Sequence, residues 1–182
     1  MSARLRLVTD PVPGSTIREF TDAMSVLASG VTIVTCRHEG RPWGVTVSAF
    51  ASVSIDPPTV LVSLASDGTA ARAIERTRRY GVSILSENQL EVACYGSVPG
   101  EAKFLESVVE PDDGSDSIAG ALAHLECEVC DEIEVADHTV FFGRVVSARS
   151  ARDGRPLLHH RRDYRALATY RPTERGATWA AN

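Results

Sequence analysis

Hydrophobic and polar positions alternate through GVTVSAFASVSI, which begins at Gly44. Val45, Val47, Ala49, Ala51, Val53 and Ile55 hold one parity; Thr46, Ser48, Phe50, Ser52 and Ser54 hold the other. A period of two is the period of a strand, so this stretch is expected to carry hydroxyls and one aromatic ring along a single face. The β-branched run at 31–36 precedes it, and the turn segment His38-Glu39-Gly40-Arg41-Pro42 between the two predicts a hairpin. Asp56-Pro57-Pro58 then breaks the chain before TVLVSLA, whose nearly unbroken apolar run predicts a strand buried on both faces.

Helical spacing appears in three places. Ile17, Phe20, Met24 and Leu27 follow the capping box Thr16-Ile17-Arg18-Glu19, which predicts a helix opening at Thr16, covering one side of the core and ending at Gly30. Ala70, Ala73 and Ile74 predict a second helix over 69–79, and the capping box Ser86-Glu87-Asn88-Gln89 a third, running to about Tyr95. Between the last two lies the short strand YGVSIL.

The acidic, Gly- and Ser-containing stretch 110–120 is expected to be an exposed loop. Beyond it, Ala121, Ala123, Leu125, Cys127, Val129, Ile133 and Val135 share one parity, which predicts a long strand with those residues facing the core and His124 on the polar face. A tight turn at Ala136-Asp137-His138 returns the chain through 139–147, and Asp153-Gly154 turns it again into RPLLHHRRDYRAL. Residues 1–14 read as a leader, 15–171 as one domain and 172–182 as a tail. Many hairpin-connected antiparallel strands with few helices favour a closed or partly closed barrel over a parallel α/β sheet.

Composition narrows what such a barrel does. The chain has 182 residues, 43% hydrophobic and 24% charged, enough for one well-buried globular domain. A net charge of -5 without a basic run argues against nucleic acid. No apolar run is long enough for a bilayer and no secretory signal is evident, so a cytoplasmic location is expected. Four cysteines are too few for a disulfide scaffold. Cys127 and Cys130 form a C-x-x-C, but residues three apart on a strand point to opposite faces, so no metal or redox site is expected there, nor at the vicinal pair His159-His160. Neither G-x-G-x-x-G nor a P-loop is present, so any nucleotide is held in another way.

The ordered block GVTIVTCRHEGRPWGVTVSAFASVSIDPPTVLVSL, followed by YGVSILSENQ, DHTVFFGRVV and RPLLHHRRDY, resembles the flavin reductase family with the FMN-binding split β-barrel. The similarity runs from about Phe20 to about Leu167. It implies a mainly β, six-stranded Greek-key barrel with flanking helices, usually a homodimer. It also implies an NAD(P)H-dependent flavin reductase that reduces FMN or FAD with NADH or NADPH and supplies reduced flavin to a partner monooxygenase. By the family pattern, Thr46, Val47, Ser48, Ala49 and Phe50 run along the isoalloxazine. Ser63, Leu64, Ser66 and Thr69 take the ribityl and phosphate end, and Lys103 with Phe104 approaches the phosphate side. An anion at Ser66-Asp67-Gly68-Thr69 also makes independent sense, because that segment opens a predicted helix.

His138 stands in DHTVFFGRVV, which matches the family's Gly-Asp-His-Thr signature except that Ala136 replaces the glycine. It is the catalytic candidate, close to flavin and nicotinamide. RPLLHHRRDY matches the element that brackets the nicotinamide, with two histidines in place of the usual aromatics and Arg162 in place of a glycine. His138, His160, Arg161 and Tyr164 are the nicotinamide-binding candidates. Hydride transfer between two aligned rings needs no catalytic triad or carboxylate pair, and none stands out in the sequence. Two other readings share the same barrel: a flavoprotein with tightly bound FMN serving one dedicated oxidation, and a flavin- or haem-binding module without turnover.

Overall fold

The computed structural model describes residues 13–98, 102–105, 109–110 and 116–168. In chain order the elements are α1 (Gly14–Ser25), β1 (Ser29–Gly30), β2 (Thr32–His38), β3 (Arg41–Val47), β4 (Phe50–Ile55), β5 (Pro58–Ala65), α2 (Thr69–Thr77), β6 (Arg79–Ile84) and α3 (Leu90–Ser97). They continue with β7 (Val109–Glu110), β8 (Ser117–Ile118), β9 (Ala123–Val135), β10 (His138–Ser150), β11 (Leu157–His160) and β12 (Asp163–Ala166). The expected leader (1–14) and tail (172–182) lie almost wholly outside the described residues.

Seven strands form one antiparallel sheet in the order β3-β2-β6-β9-β10-β5-β4. Its outermost strands, β3 and β4, are consecutive in the chain and separated only by Ser48 and Ala49. Two residues cannot span a flat seven-stranded sheet with neighbouring strands about 4.8 Å apart, so the sheet must curl until its two edges meet. The Ser63 amide donates to the Ala49 carbonyl at 3.1 Å, pinning this crossing. Elsewhere the rim of β3 is covered by residues 103–105, through Gly44 N–H to Lys103 carbonyl and Leu105 N–H to Pro42 carbonyl, both 3.1 Å.

The barrel interior is filled from β2, β3, β5, β6, β9 and β10 and plugged at one end by α2, whose Ala70, Ala71, Ala73 and Ile74 are buried. The three alanines let the helix sit low in the opening. A second core lies outside the barrel wall, where Val31, Ile33, Leu85, Ala93, Leu105 and Leu157 pack under α3 and the β1-β11-β12 sheet. Because both sides of β2 are covered, its residues 32–36 are all buried.

Several sequence expectations change here. The alternating run from Val45 to Ile55 is two strands, and the break at Ser48–Ala49 shifts the parity, so that Val47 and Phe50 both pack on the barrel core. TVLVSLA buries only one face fully; Thr59, Leu61 and Ser63 are half-buried. α1 opens at Gly14 rather than Thr16, with Pro13 at its N-cap and no side-chain capping bond. Its apolar stripe does not cover the core: Ile17, Phe20, Met24 and Leu27 are exposed, Phe20 by 63%. α3 begins at Leu90, and of the expected capping box only the Gln89 side chain is engaged, accepting the Ser86 amide at 2.9 Å.

In the segment expected to be an exposed loop, Asp116, Ser117 and Ile118 are buried. Asp116 holds Arg37 at 2.8 Å and its carbonyl accepts the Thr35 hydroxyl at 2.6 Å, so the acidic residue is paired inside rather than solvated. His124 is also buried, its Nδ1 bonded to the Ser83 hydroxyl at 3.0 Å, because β8 packs on the neighbouring strand β6, where the Ile118 amide donates to that same hydroxyl at 3.1 Å. Val135, at the free end of β9, is exposed.

Candidate active site

Between the rim of β3 and the junction of β5 with α2 lies a cavity of about 750 Å³, within the size range of small-molecule and cofactor sites. Trp43 and Val45 form one wall, Leu64 and Ala65 the other, with Ala70 and Ala71 at the base and Ser97, Ala102 and Lys103 at the edge. The walls are apolar and the polar groups stand at the ends. At one end Gly68 is the N-cap of α2, with extended backbone and no side-chain cap, so the first-turn amides of α2 are open to an acceptor beside Asp67 and Thr69. Lys103, the only lysine in the chain, brings a cation to the same cavity.

A smaller pocket of about 160 Å³ adjoins it and is lined by Val31, Thr46, Val47, Ser48, His159 and Tyr164; Ser97 belongs to both. α3 rests directly on β3 here. The Thr46 hydroxyl donates to the Ala93 carbonyl at 2.8 Å, and any side chain at Gly96 would collide with Thr46. The antiparallel hairpin β11–β12 supplies the far wall, with the His159 and Tyr164 rings edge to face at 5.7 Å.

The expected site residues therefore fall into three groups. Leu64, Thr69 and Lys103 line the large cavity, and Thr46, Val47, Ser48 and Tyr164 the small one. Ala49, Ser63 and Phe50 build the crossing between them: Ala49 and Ser63 through their backbone bond, Phe50 by packing on the core. The others line neither space. The Phe104 ring turns onto Trp43 at 5.0 Å, beneath the Arg41 guanidinium at 3.6 Å. The Ser66 hydroxyl meets that of Thr139 at 2.9 Å, and the Ser66 amide donates to the Asp137 carbonyl at 2.9 Å, fastening the start of α2 to the β9–β10 turn. His138 sits on that turn, half-exposed, its Nδ1 bonded to Asp137 at 2.8 Å; this bond holds the Asp137 carboxyl below its ordinary range. His160 pairs with Asp163 across the hairpin, and Arg161 donates its backbone amide to the Ser25 carbonyl of α1 at 2.6 Å.

The cavity also has walls the sequence reading did not single out: Trp43, Val45, Ser97 and, in the neighbouring pocket, His159. A tryptophan within a β-branched strand was a signal available in the sequence. Ser97 gave none, since its position depends on how α3 lies on β3. Two glycine substitutions noted in the sequence acquire a geometry as well. Ala136 has φ 54 and Arg162 φ 61, the left-handed region in which glycine is sterically at ease.

Residues 24–168 match the model of the flavin reductase like domain. The chain belongs to this family. Flavin reductase relatives include the reductase component of a 4-nitrophenol 4-monooxygenase/4-nitrocatechol 2-monooxygenase from Rhodococcus opacus, 37% identical over 90% of this chain and 88% of that protein. An NADH-dependent flavin reductase from Rhodococcus sp is 37% identical over 80% of this chain and 83% of its own. Among solved structures, flavin reductase PheA2 superposes with a TM-score of 0.76 at 33% identity, covering 84% of this chain and 98% of that one. The NADH:FAD oxidoreductase SgcE6 of Streptomyces globisporus, in complex with NAD and FAD fragments, superposes with a TM-score of 0.79 at 28% identity over 88% and 98% of the two chains. The split-barrel architecture is thus shared with flavin reductases along nearly their whole length. A flat ring system with polar edges and an anionic tail also matches the cavity: apolar walls, polar groups at the ends, and an uncapped helix start with a cation at its edge.

Proposed function

We propose that the protein is an NAD(P)H-dependent flavin reductase that binds FMN or FAD in the large cavity and admits the nicotinamide from the side of the small pocket. The observation that carries this reading is the adjacency of the two spaces, which share Ser97 and are separated by the β3–β4 crossing. One space, about 750 Å³, is large enough for a ring and its phosphate; the other is flanked by a hairpin whose two rings meet edge to face. A bound flavin supplies the electron-accepting ring, and the protein contributes alignment and electrostatics.

In this reading the α2 amides and Lys103 hold the phosphate, and Trp43, Val45 and Leu64 give the ring apolar contact. The backbone of residues 46–50 meets the ring's polar edge, with Ser63 and Ser66 bracing its far end. His138 lines neither space and stands beside the start of α2, so its part in this reading requires the nicotinamide to extend over the large cavity to the β9–β10 turn. His160, Arg161 and Tyr164 act from the hairpin, Tyr164 as part of the pocket wall. The relatives, named as reductases, favour catalysis over a binding module without turnover.

Reductase components among those relatives also support delivery of reduced flavin to an oxygenase partner. The exposed stripe Ile17, Phe20, Met24 and Leu27 is an apolar surface suited to a second copy, which supports a homodimer. The test is a spectrophotometric matrix: NADH and NADPH oxidation followed with FMN, FAD and riboflavin in turn, repeated with Phe50→Ala and His138→Ala. Turnover with at least one pair, and a raised KM or lowered kcat in either variant, is expected. No turnover with any pair overturns the assignment.

A further inference from the structure

We propose that Asp22 makes this enzyme discriminate against the nicotinamide nucleotide that carries a 2′-phosphate, by occupying Arg162 and setting a carboxylate where that phosphate would approach. The inference rests on the reading of the β11–β12 hairpin as the nicotinamide side of the site, with the adenosine ribose lying along the hairpin toward its tip.

The hairpin's inner residues, His159 and Tyr164, line the small pocket, and its tip is the pair Arg161-Arg162. Both arginines have left-handed backbones, φ 52 and 61, in a two-residue turn where glycine or asparagine fits without steric cost. Two cationic side chains held in an unfavourable backbone region suggest a use for the guanidinium groups. What fixes this turn comes from α1. The Ser25 carbonyl accepts the Arg161 amide, and Asp22 Oδ1 accepts the Arg162 guanidinium, each at 2.6 Å. The hairpin's other cation, Arg165, is paired with Asp163 at 2.8 Å.

The two pyridine nucleotides differ only in a phosphate on the adenosine ribose. A free guanidinium grips such a phosphate through paired charge-assisted hydrogen bonds. Arg162 is already held by a carboxylate. That carboxylate repels a second anion, yet it can accept a hydrogen bond from an unphosphorylated ribose hydroxyl, so one side chain both favours NADH and opposes NADPH. Removing the charge of Asp22 frees Arg162 beside Arg161, and the tip becomes a phosphate site.

The experiment measures kcat/KM for NADPH and for NADH at saturating FMN in the wild type, Asp22→Asn, Asp22→Glu and the double variant Asp22→Asn with Arg162→Ala. Asp22→Asn is expected to raise the NADPH:NADH ratio about tenfold, the scale of one charge contact to a phosphate. Asp22→Glu should retain the wild-type ratio, and Arg162→Ala should cancel the gain. If Asp22 serves only to tether α1, its loss lowers both nucleotides alike; an unchanged ratio therefore overturns the inference, as does a gain that survives Arg162→Ala. Wild-type protein that oxidises neither nucleotide with any flavin overturns instead the functional reading beneath it.

Discussion

The two sides of the barrel are built from the same antiparallel strands and behave oppositely. On the β6–β9–β10 side the strands stay paired along their length, β9 with β10 across two bulges, and the interior is sealed. Tyr80 reaches across to Gly143, whose lack of a side chain leaves room for the phenol, and Cys127 packs against them. Burial pushes the Cys127 thiol up to about 12, and the Cys36 thiol likewise. On the β3–β5 side the ladder is interrupted, and the gap becomes a cavity whose polar groups remain available. A closed wall stabilises by burying apolar surface; an open one gives up that burial and leaves a cavity.

The largest effect should come from the sealed side. Phe141 is fully buried, so Phe141→Ala is expected to cost about 3–5 kcal/mol in chemical denaturation; a loss below about 1 kcal/mol would mean that the wall is not the stabilising half. Thiol chemistry should divide the molecule almost as sharply. With two thiols held near pKa 12 and Cys94 and Cys130 exposed, a disulfide reagent at mild pH should modify two cysteines in the native protein and all four only after unfolding, with native rates apart by about a thousandfold. Gly143→Ala places a methyl group against the Tyr80 ring and 2.9 Å from Cys127 Cβ, for an expected loss of about 1–3 kcal/mol.

On the open side the expected signature is reversed. Lys103→Ala should raise the KM for FMN about tenfold, the scale of one lost charge-assisted contact, while the melting temperature moves little. A lysine that affects stability and not flavin binding would erase the contrast between the two sides. The smallest effect lies at the β9–β10 turn: Ala136→Gly relieves a left-handed alanine at φ 54 and should stabilise by at most about 1 kcal/mol, since the added freedom of the unfolded chain offsets part of the gain.

Much of this was readable in advance because it is local. Hairpin signals placed the Glu39-Gly40 turn, whose φ values of 52 and 77 are those of a tight hairpin turn, and the Ala136-Asp137 turn. Apolar periodicity placed α2 and put Cys127 and Cys130 on opposite faces, one buried and one exposed. The site was legible in part. Thr69 and Lys103 were expected at a phosphate end, and they share one cavity. Thr46 was expected along the isoalloxazine; that its hydroxyl also donates to α3, a partner 47 residues away, no local pattern reveals.

By itself, then, the sequence determined the succession of strands, the turns between them, the family, and the uncapped helix start that opens on the large cavity, because each is written in nearby residues or in their order along the chain. Tertiary structure alone decided which face each strand turns inward after the Ser48–Ala49 crossing, why the α1 stripe stays uncovered, and how Asp22 comes to hold Arg162 from 140 residues away. Those outcomes follow from curling a seven-stranded sheet until its edges meet, a constraint on the whole chain that no stretch of side-chain pattern contains.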